Sequence, residues 1–119
     1  MKEEFKKRLY VWVLSLIKFI DSLGLDASSR AMGKQLIRSG TSVLANCIEA
    51  QSASSKRDFV NFFSHSLKSA NESKVWLALL RDSGKGDKKK VEPLLKELSE
   101  IANILAASII TAKKSFKRH

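Results

Sequence analysis

The sequence predicts an all-α protein, an up-down-up-down antiparallel four-helix bundle. The 119 residues include only one Pro and five Gly, and apolar residues recur at three- and four-residue steps in four long segments. No segment shows the two-residue alternation that is typical of a strand. Three short breaks separate the four segments, and short connections make successive helices antiparallel. A chain of this length is expected to form one domain, residues 1–119, with a modest core.

The first predicted helix covers approximately residues 3–23, where apolar side chains repeat with helical spacing until Gly24 provides a natural stop. The second predicted helix covers approximately residues 29–51. Ser28 or Ser29 is expected to be its N-cap, because a hydroxyl at that position accepts a hydrogen bond from an otherwise unpaired backbone amide.

The third predicted helix covers approximately residues 55–82. It opens with Ser55 and Asp58, which have the spacing of a capping box. The fourth covers approximately residues 88–115, and Pro93 is tolerable there because it lies close to the start of the helix. These boundaries leave only short loops between the helices.

The second helix has two contrasting sides when it is projected at about 100° per residue. Gly33, Gly40 and Cys47 form a small-residue stripe on the apolar side, which would let a neighbouring helix approach closely. The opposite side is a polar stripe of four residues, Arg38, Ser42, Asn46 and Glu49. Arg38 and Glu49 lie about 16 Å apart along the helix, so each is expected to find a partner on another helix or another subunit.

The third helix carries apolar residues on two sides. Val75, Trp76 and Leu79 project away from the side that is assigned to the core. A helix that is apolar on both sides is usually buried on both sides, which indicates a subunit interface. The alternative is that Trp76 lies at the rim of the core.

The second and third helices also present a recognisable order of residues. It runs Gln35, Arg38, Ser42, Asn46 and Glu49, then Ser55, Asp58 and Phe59, then Ala70-Asn71-Glu72, Trp76-Leu77 and Leu80. This order resembles a bacterial family of small four-helix-bundle proteins that were first noticed as products of 23S rRNA intervening sequences.

The resemblance implies more than the fold. Members of that family assemble into homopentameric barrels, so it implies that this chain forms a ring-like homo-oligomer. A related branch, the accessory variability protein of diversity-generating retroelements, is a basic pentamer that binds nucleic acid and a partner reverse transcriptase. By resemblance, this chain is therefore expected to be an oligomeric, non-catalytic scaffold that binds nucleic acid.

The formal net charge is +10, and half of this excess lies in residues 84–119, which hold nine basic and four acidic side chains. The basic residues form two clusters, Lys88-Lys89-Lys90 and Lys113, Lys114, Lys117 and Arg118. Such clusters attract polyanions by counterion release. We therefore predict contacts to RNA or DNA that are mainly to phosphate groups. An acidic protein partner and a merely solvated surface are the alternatives.

Residues suited to catalysis are nearly absent. His65 is isolated, without the spacing of a metal ligand pair, and Cys47 falls on the apolar side of its helix. The two glycines at Gly84 and Gly86 lack the spacing of a phosphate-binding loop. The sequence thus predicts no enzyme, no cofactor and no metal site.

The apolar stretch of residues 9–23 is interrupted by Lys18 and Asp21, which argues against both a signal peptide and a membrane span. A single cysteine fits a reducing compartment, so a cytoplasmic location is expected. Two hypotheses for function follow. The first is a basic oligomeric scaffold that binds structured RNA or a reverse-transcription complex, and the second is an interaction module for an acidic protein, with no role in nucleic-acid binding.

Overall fold

A computed structural model describes the backbone of residues 3–117 and the side chains of residues 3–115. The helices are α1 Glu3–Asp21, α2 Ala27–Gln51, α3 Lys56–Asp82 and α4 Lys88–Lys117. No strand occurs within the described range, so the predicted all-α fold with four helices is confirmed. Each helix packs against its neighbours in the sequence, and α1 also packs against α4, whereas α1 and α3 lie diagonally opposite.

The start of α2 differs from the prediction. Asp26, and not Ser28 or Ser29, is the N-cap, and its carboxylate accepts a hydrogen bond from the Ser29 amide at 3.2 Å. Hydrogen bonds from Ser29 and Ser28 hold the pKa of Asp26 well below its ordinary value. The prediction was wrong because the sequence offers three capping-type residues within four positions. Asp26, the first of the three in the sequence, is the N-cap, and Ser29 is buried.

The other helix ends agree more closely with the prediction. α3 begins after Ser55, whose hydroxyl accepts a hydrogen bond from the Asp58 amide at 3.1 Å. α1 ends at Asp21, two residues earlier than predicted, because the next two amides bond back to carbonyls only three residues earlier. The helix therefore tightens into a turn before Gly24.

The core runs along the bundle axis and is made mainly of leucine. The fully buried large side chains are Leu9 and Leu16 of α1, Leu36 of α2, Leu77 and Leu80 of α3, and Leu98, Ile101 and Leu105 of α4. Trp12 adds a hydrogen bond between α1 and α4, because its indole Nε1 donates to the Leu94 carbonyl at 3.1 Å. A buried indole N–H usually needs such a partner.

The small-residue stripe of α2 does not face one neighbouring helix. A methyl group at Gly40 would overlap Leu16 of α1, and one at Gly33 would lie 3.3 Å from Leu23. These glycines make room for large side chains of α1 and of the turn that follows it. Cys47, in contrast, faces α3. The helix whose backbone approaches α2 most extensively is α3, and it does so through serines.

Prediction for the glycines. Gly40→Ala should lower the free energy of unfolding by up to about 2 kcal/mol, because overpacking of about 1–3 kcal/mol offsets or exceeds the gain of about 1 kcal/mol in helix propensity. Gly33→Ala, which has more space, should be neutral or stabilising by up to about 1 kcal/mol. Urea denaturation followed by circular dichroism measures both. Equal effects of the two substitutions would contradict this account of the α1–α2 contact.

Candidate functional site

The two predicted basic clusters lie at opposite ends of the molecule. Lys88–Lys90 begin α4, whereas Lys113 and Lys114 lie near its end. α4 has 30 residues, so it extends about 45 Å at about 1.5 Å per residue. The clusters therefore do not contact the same phosphate groups from one protomer. The side chain of Lys117 and all of Arg118, which were predicted to bind with Lys113 and Lys114, lie outside the described residues.

The fold adds two cations to the C-terminal end of α4. Because α3 and α4 are antiparallel, α3 begins where α4 ends, and Lys56 Nζ donates to Ser115 Oγ at 2.7 Å. Lys56, Arg57, Lys113 and Lys114 are all exposed, and we call these four residues the terminal basic cluster. Sequence reasoning missed Lys56 and Arg57, although the predicted helix order was a signal that could have found them.

The opposite end of the bundle is electrostatically more balanced. Lys85 Nζ lies 3.2 Å from an Asp26 carboxylate oxygen. The pKa of Asp82 is lowered, first by a hydrogen bond from Arg81 and further by the charge of Lys88. Among the described residues, by contrast, no carboxylate lies within ion-pair distance of the terminal basic cluster. Unbalanced positive charge is therefore concentrated at the C-terminal end of α4.

A row of serine hydroxyls joins α2 to α3, and we call it the serine seam. Its hydrogen bonds run from Ser73 Oγ to Ser39 Oγ at 2.7 Å, from Ser69 Oγ to Ser42 Oγ at 2.9 Å, and from Ser66 Oγ to the Val43 carbonyl at 2.7 Å. Small side chains let the two backbones come close, and their hydroxyl groups satisfy one another inside the contact. The outer edges of α2 and α3 therefore form one continuous surface.

The predicted polar stripe of α2 follows this surface. Asn46 Nδ2 donates to the carbonyl and the hydroxyl of Ser42, both at 2.9 Å, so its amide group stays on its own helix. Arg38 and Glu49 are exposed, and no oppositely charged side chain among the described residues forms an ion pair with either. The sequence predicts a partner for each on another helix or on another subunit, and no ionic partner is found among the described residues. Glu72 of α3 lines the same shallow cleft as Arg38.

The second apolar side of α3 is only partly exposed. Val75 and Leu79 have 54% and 46% of their surface exposed, so both project outward as predicted. Trp76 is half-buried and packs against the core, which is the alternative that the sequence left open for it. Its indole Nε1 is buried and has no hydrogen-bond acceptor among the described residues. The outward apolar pair on α3 is therefore Val75 and Leu79.

The groups that could support chemistry are few. Cys47 Sγ lies 3.2 Å from Ser66 Oγ, and burial raises the pKa of its thiol. His65 is exposed. Across residues 3–117, no group of three or more His, Cys, Asp or Glu side chains is arranged to hold a metal ion. Within the same range, no helix is both long enough and apolar enough to cross a membrane.

Comparison with known proteins places this arrangement in a family. Residues 4–107 match the family described as 23S rRNA-intervening sequence protein. The chain belongs to this family. It is also similar to the crystal structure of a protein of unknown function from the S23 ribosomal protein family of Bacteroides thetaiotaomicron, with 31% sequence identity and a TM-score of 0.82 over 88% of this chain and 97% of that chain. A search of curated proteins yields no match.

The matched region separates the two candidate surfaces. It contains all of the α2–α3 surface and the cluster Lys88–Lys90, but it ends before Lys113 and Lys114. The serine seam and the polar stripe thus lie within the part that matches the 23S rRNA-intervening sequence protein family. Half of the terminal basic cluster lies beyond it.

Prediction for the serine seam. Ser73→Val should lower the free energy of unfolding by about 2–4 kcal/mol, because it removes a buried hydrogen bond of about 1 kcal/mol and overpacks the α2–α3 contact by about 1–3 kcal/mol. Ser64→Val, the same substitution at an exposed position of α3, should stay within about 0.5 kcal/mol of the wild type. Thermal or urea unfolding compares them. A stable Ser73→Val protein would show that the seam does not hold α2 against α3.

Proposed function

We propose that this member of the 23S rRNA-intervening sequence protein family is a non-catalytic, cytoplasmic, oligomeric scaffold that binds nucleic acid. The bound form is structured RNA or a nucleic acid in a reverse-transcription complex, the latter by analogy with the retroelement branch that is related to the family. Binding is mainly to phosphate groups, through the terminal basic cluster together with Lys117 and Arg118. Lys88–Lys90 form a second, weaker contact site.

The terminal basic cluster is the observation that carries this proposal. Four exposed cations from two helices meet at one end of the bundle, with no carboxylate in ion-pair distance among the described residues. Such a cluster repels itself unless anions are present, and a nucleic-acid backbone supplies them at regular spacing. Lys113 and Lys114 also suit the negative end of the α4 dipole. That local role does not account for Lys56 and Arg57, which lie at the start of α3, the positive end of its dipole.

The scaffold is proposed to be a ring-like homo-oligomer, a pentamer by resemblance to the family. Val75 and Leu79 are exposed apolar side chains, and the exposed Arg38 and Glu49 have no ionic partner among the described residues. A second subunit on this face would bury the apolar pair and could supply the missing charges. A ring also repeats the terminal basic cluster in each subunit, so weak phosphate contacts add up to strong binding.

Prediction for nucleic-acid binding. Replacing Lys113, Lys114, Lys117 and Arg118 together by Gln should weaken binding to a structured RNA and reduce its salt dependence. Each lost phosphate contact lowers the slope of log K against log salt by about 0.7–0.9. Adding Lys56→Gln and Arg57→Gln should lower both quantities further. Fluorescence anisotropy over a series of salt concentrations measures affinity and slope, and circular dichroism checks the helical content.

The matched control is Lys88–Lys90→Gln, which removes three charges from the opposite end of α4. Per charge removed, it should change the slope less than the C-terminal substitution does. Equal effects per charge would mean that total charge, and not the terminal basic cluster, determines binding. If the wild type binds no RNA or DNA at about 50 mM salt, the nucleic-acid role is wrong and the positive charge serves an acidic protein partner.

Prediction for assembly. Val75→Glu combined with Leu79→Glu should dissociate the oligomer, because two carboxylates would be buried at the subunit contact without partners. Light scattering should then give a mass near that of one chain, 13.3 kDa. Ile110→Glu, which places a carboxylate at an exposed isoleucine of α4, should leave the mass unchanged. If the wild type is monomeric at micromolar concentration, the proposed ring-like oligomer is wrong.

A further inference from the structure

A second feature lies beside the terminal basic cluster, an apolar groove that we call the terminal groove. Phe5 of α1, Phe59 and Phe63 of α3 and the α4 stripe Ile104, Ala107 and Thr111 line it. The volume of the groove is about 580 Å³. Phe5 is the one described residue of α1 that lines it, and α4 continues beyond it to Lys117. The bundle is therefore covered by α1 only at one edge of this groove.

The chemistry of the lining favours aliphatic side chains as the occupant. Ser108 also lines the groove, but its hydroxyl donates to the Ile104 carbonyl at 2.8 Å, so little hydrogen-bonding capacity faces the space. Phe63 is buried, and its ring is tilted by 41° against that of Phe59. The two rings do not form a flat, open platform on which a nucleobase could stack. An apolar side chain needs neither stacking nor hydrogen bonds.

The charged residues around the groove determine which sign of charge a bound ligand should carry. Lys56 bonds to Ser115, one helical turn beyond Thr111, and Lys114 is exposed in that same turn. On the side nearer the centre of the bundle, Arg8 is neutralised by two carboxylates of α4, at 2.6 and 3.3 Å. On the α1 side, the acidic neighbours are Glu3 and Glu4, which precede Phe5 in the first turn of α1. The free charge next to Thr111 is therefore positive, and it complements an acidic segment.

The α4 side of the groove has the geometry of a helix-packing face. Ile104, Ala107, Ser108 and Thr111 follow the i, i+3, i+4, i+7 pattern, and the stripe is about 10 Å long. Two turns of a second helix with the same apolar pattern match that length. We propose that the terminal groove binds an acidic amphipathic helix of a partner protein, which packs against α3 and α4 with its carboxylates toward Lys56 and Lys114. This binding does not depend on the proposed nucleic-acid contact.

The test uses a fluorescein-labelled synthetic peptide of about 16 residues, with Leu in the i, i+3, i+4, i+7 pattern and Glu at most other positions. Its control is an isomer of the same composition without that pattern. Anisotropy titration with the full-length protein should show saturable binding of the patterned peptide and at least about tenfold weaker binding of the isomer.

Two isoleucines of α4 provide matched variants. Ile104→Arg should weaken peptide binding by at least about tenfold, whereas Ile110→Arg, which adds the same charge on the same helix outside the groove, should change it by less than about twofold. Lys56→Gln with Lys114→Gln should weaken binding about threefold or more, and most strongly at low salt. Circular dichroism checks the fold of each variant. Ala107→Arg, at an exposed position of the groove, replaces Ile104→Arg if that variant does not fold.

Several results would overturn the proposal. One is the absence of saturable peptide binding up to ~1 mM, and another is equal loss with Ile104→Arg and Ile110→Arg. If a groove variant changes the assembled mass in light scattering, the groove is a contact between copies of this chain. If an unpaired oligonucleotide loses binding with Ile104→Arg but not with Ile110→Arg, while the peptide does not bind, the groove holds nucleobases.

Discussion

The contact between α2 and α3 is the constraint on which the arrangement of the bundle depends. Buried hydroxyl groups are costly unless they are hydrogen-bonded, and here Ser39, Ser66 and Ser73 are satisfied across the contact or by a backbone carbonyl. Because these side chains are small, the two backbones approach each other. The other helices then pack with larger groups. α1 packs against the bundle with large apolar side chains. A bidentate Arg8–Glu97 pair, with distances of 2.7 and 2.6 Å, also joins α1 to α4.

The positions of the four helices could be predicted from apolar periodicity, but their faces could only partly be predicted. A serine in a helix does not indicate whether its position is exposed or buried, because it suits both solvent and a close helix contact. The serine seam was therefore not predicted. Gly33 and Gly40 are ambiguous in the same way. A glycine indicates that a neighbouring group comes close, but not whether that group is a backbone or a side chain. Here the neighbouring groups are the side chains of Leu16 and Leu23. The N-cap of α2 was missed for a similar reason, because Asp26 and two serines compete within one turn.

The candidate binding residues show which spatial proximities could not be predicted from the sequence. Lys113 and Lys114 were predicted from their run of charge, whereas Lys56 joins them only through the antiparallel return of α4. The same geometry separates Lys88–Lys90 from them by about 35–39 Å along α4, in a molecule whose longest extent is 53 Å. The sequence could not show that Arg38 and Glu49 form no ion pair among the described residues, because proximity across helices depends on the rotation of each helix about its axis. That rotation is set by packing and not by charge.

The two proposed ligand surfaces at the C-terminal end of α4 differ in physical character. Phosphate contacts are long-ranged, tolerant of geometry and weakened by salt, whereas the apolar lining of the terminal groove recognises shape over a few ångströms and responds weakly to salt. Lys56 and Lys114 belong to both proposed surfaces, so a nucleic acid and an acidic helix would compete for these two cations. The family match ends at residue 107, inside the α4 stripe of the groove, so the fold and the α2–α3 surface are the shared part. The part of this end that lies beyond the match, Ser108 to Ser115 with its lysines, is where a ligand particular to this chain would be selected.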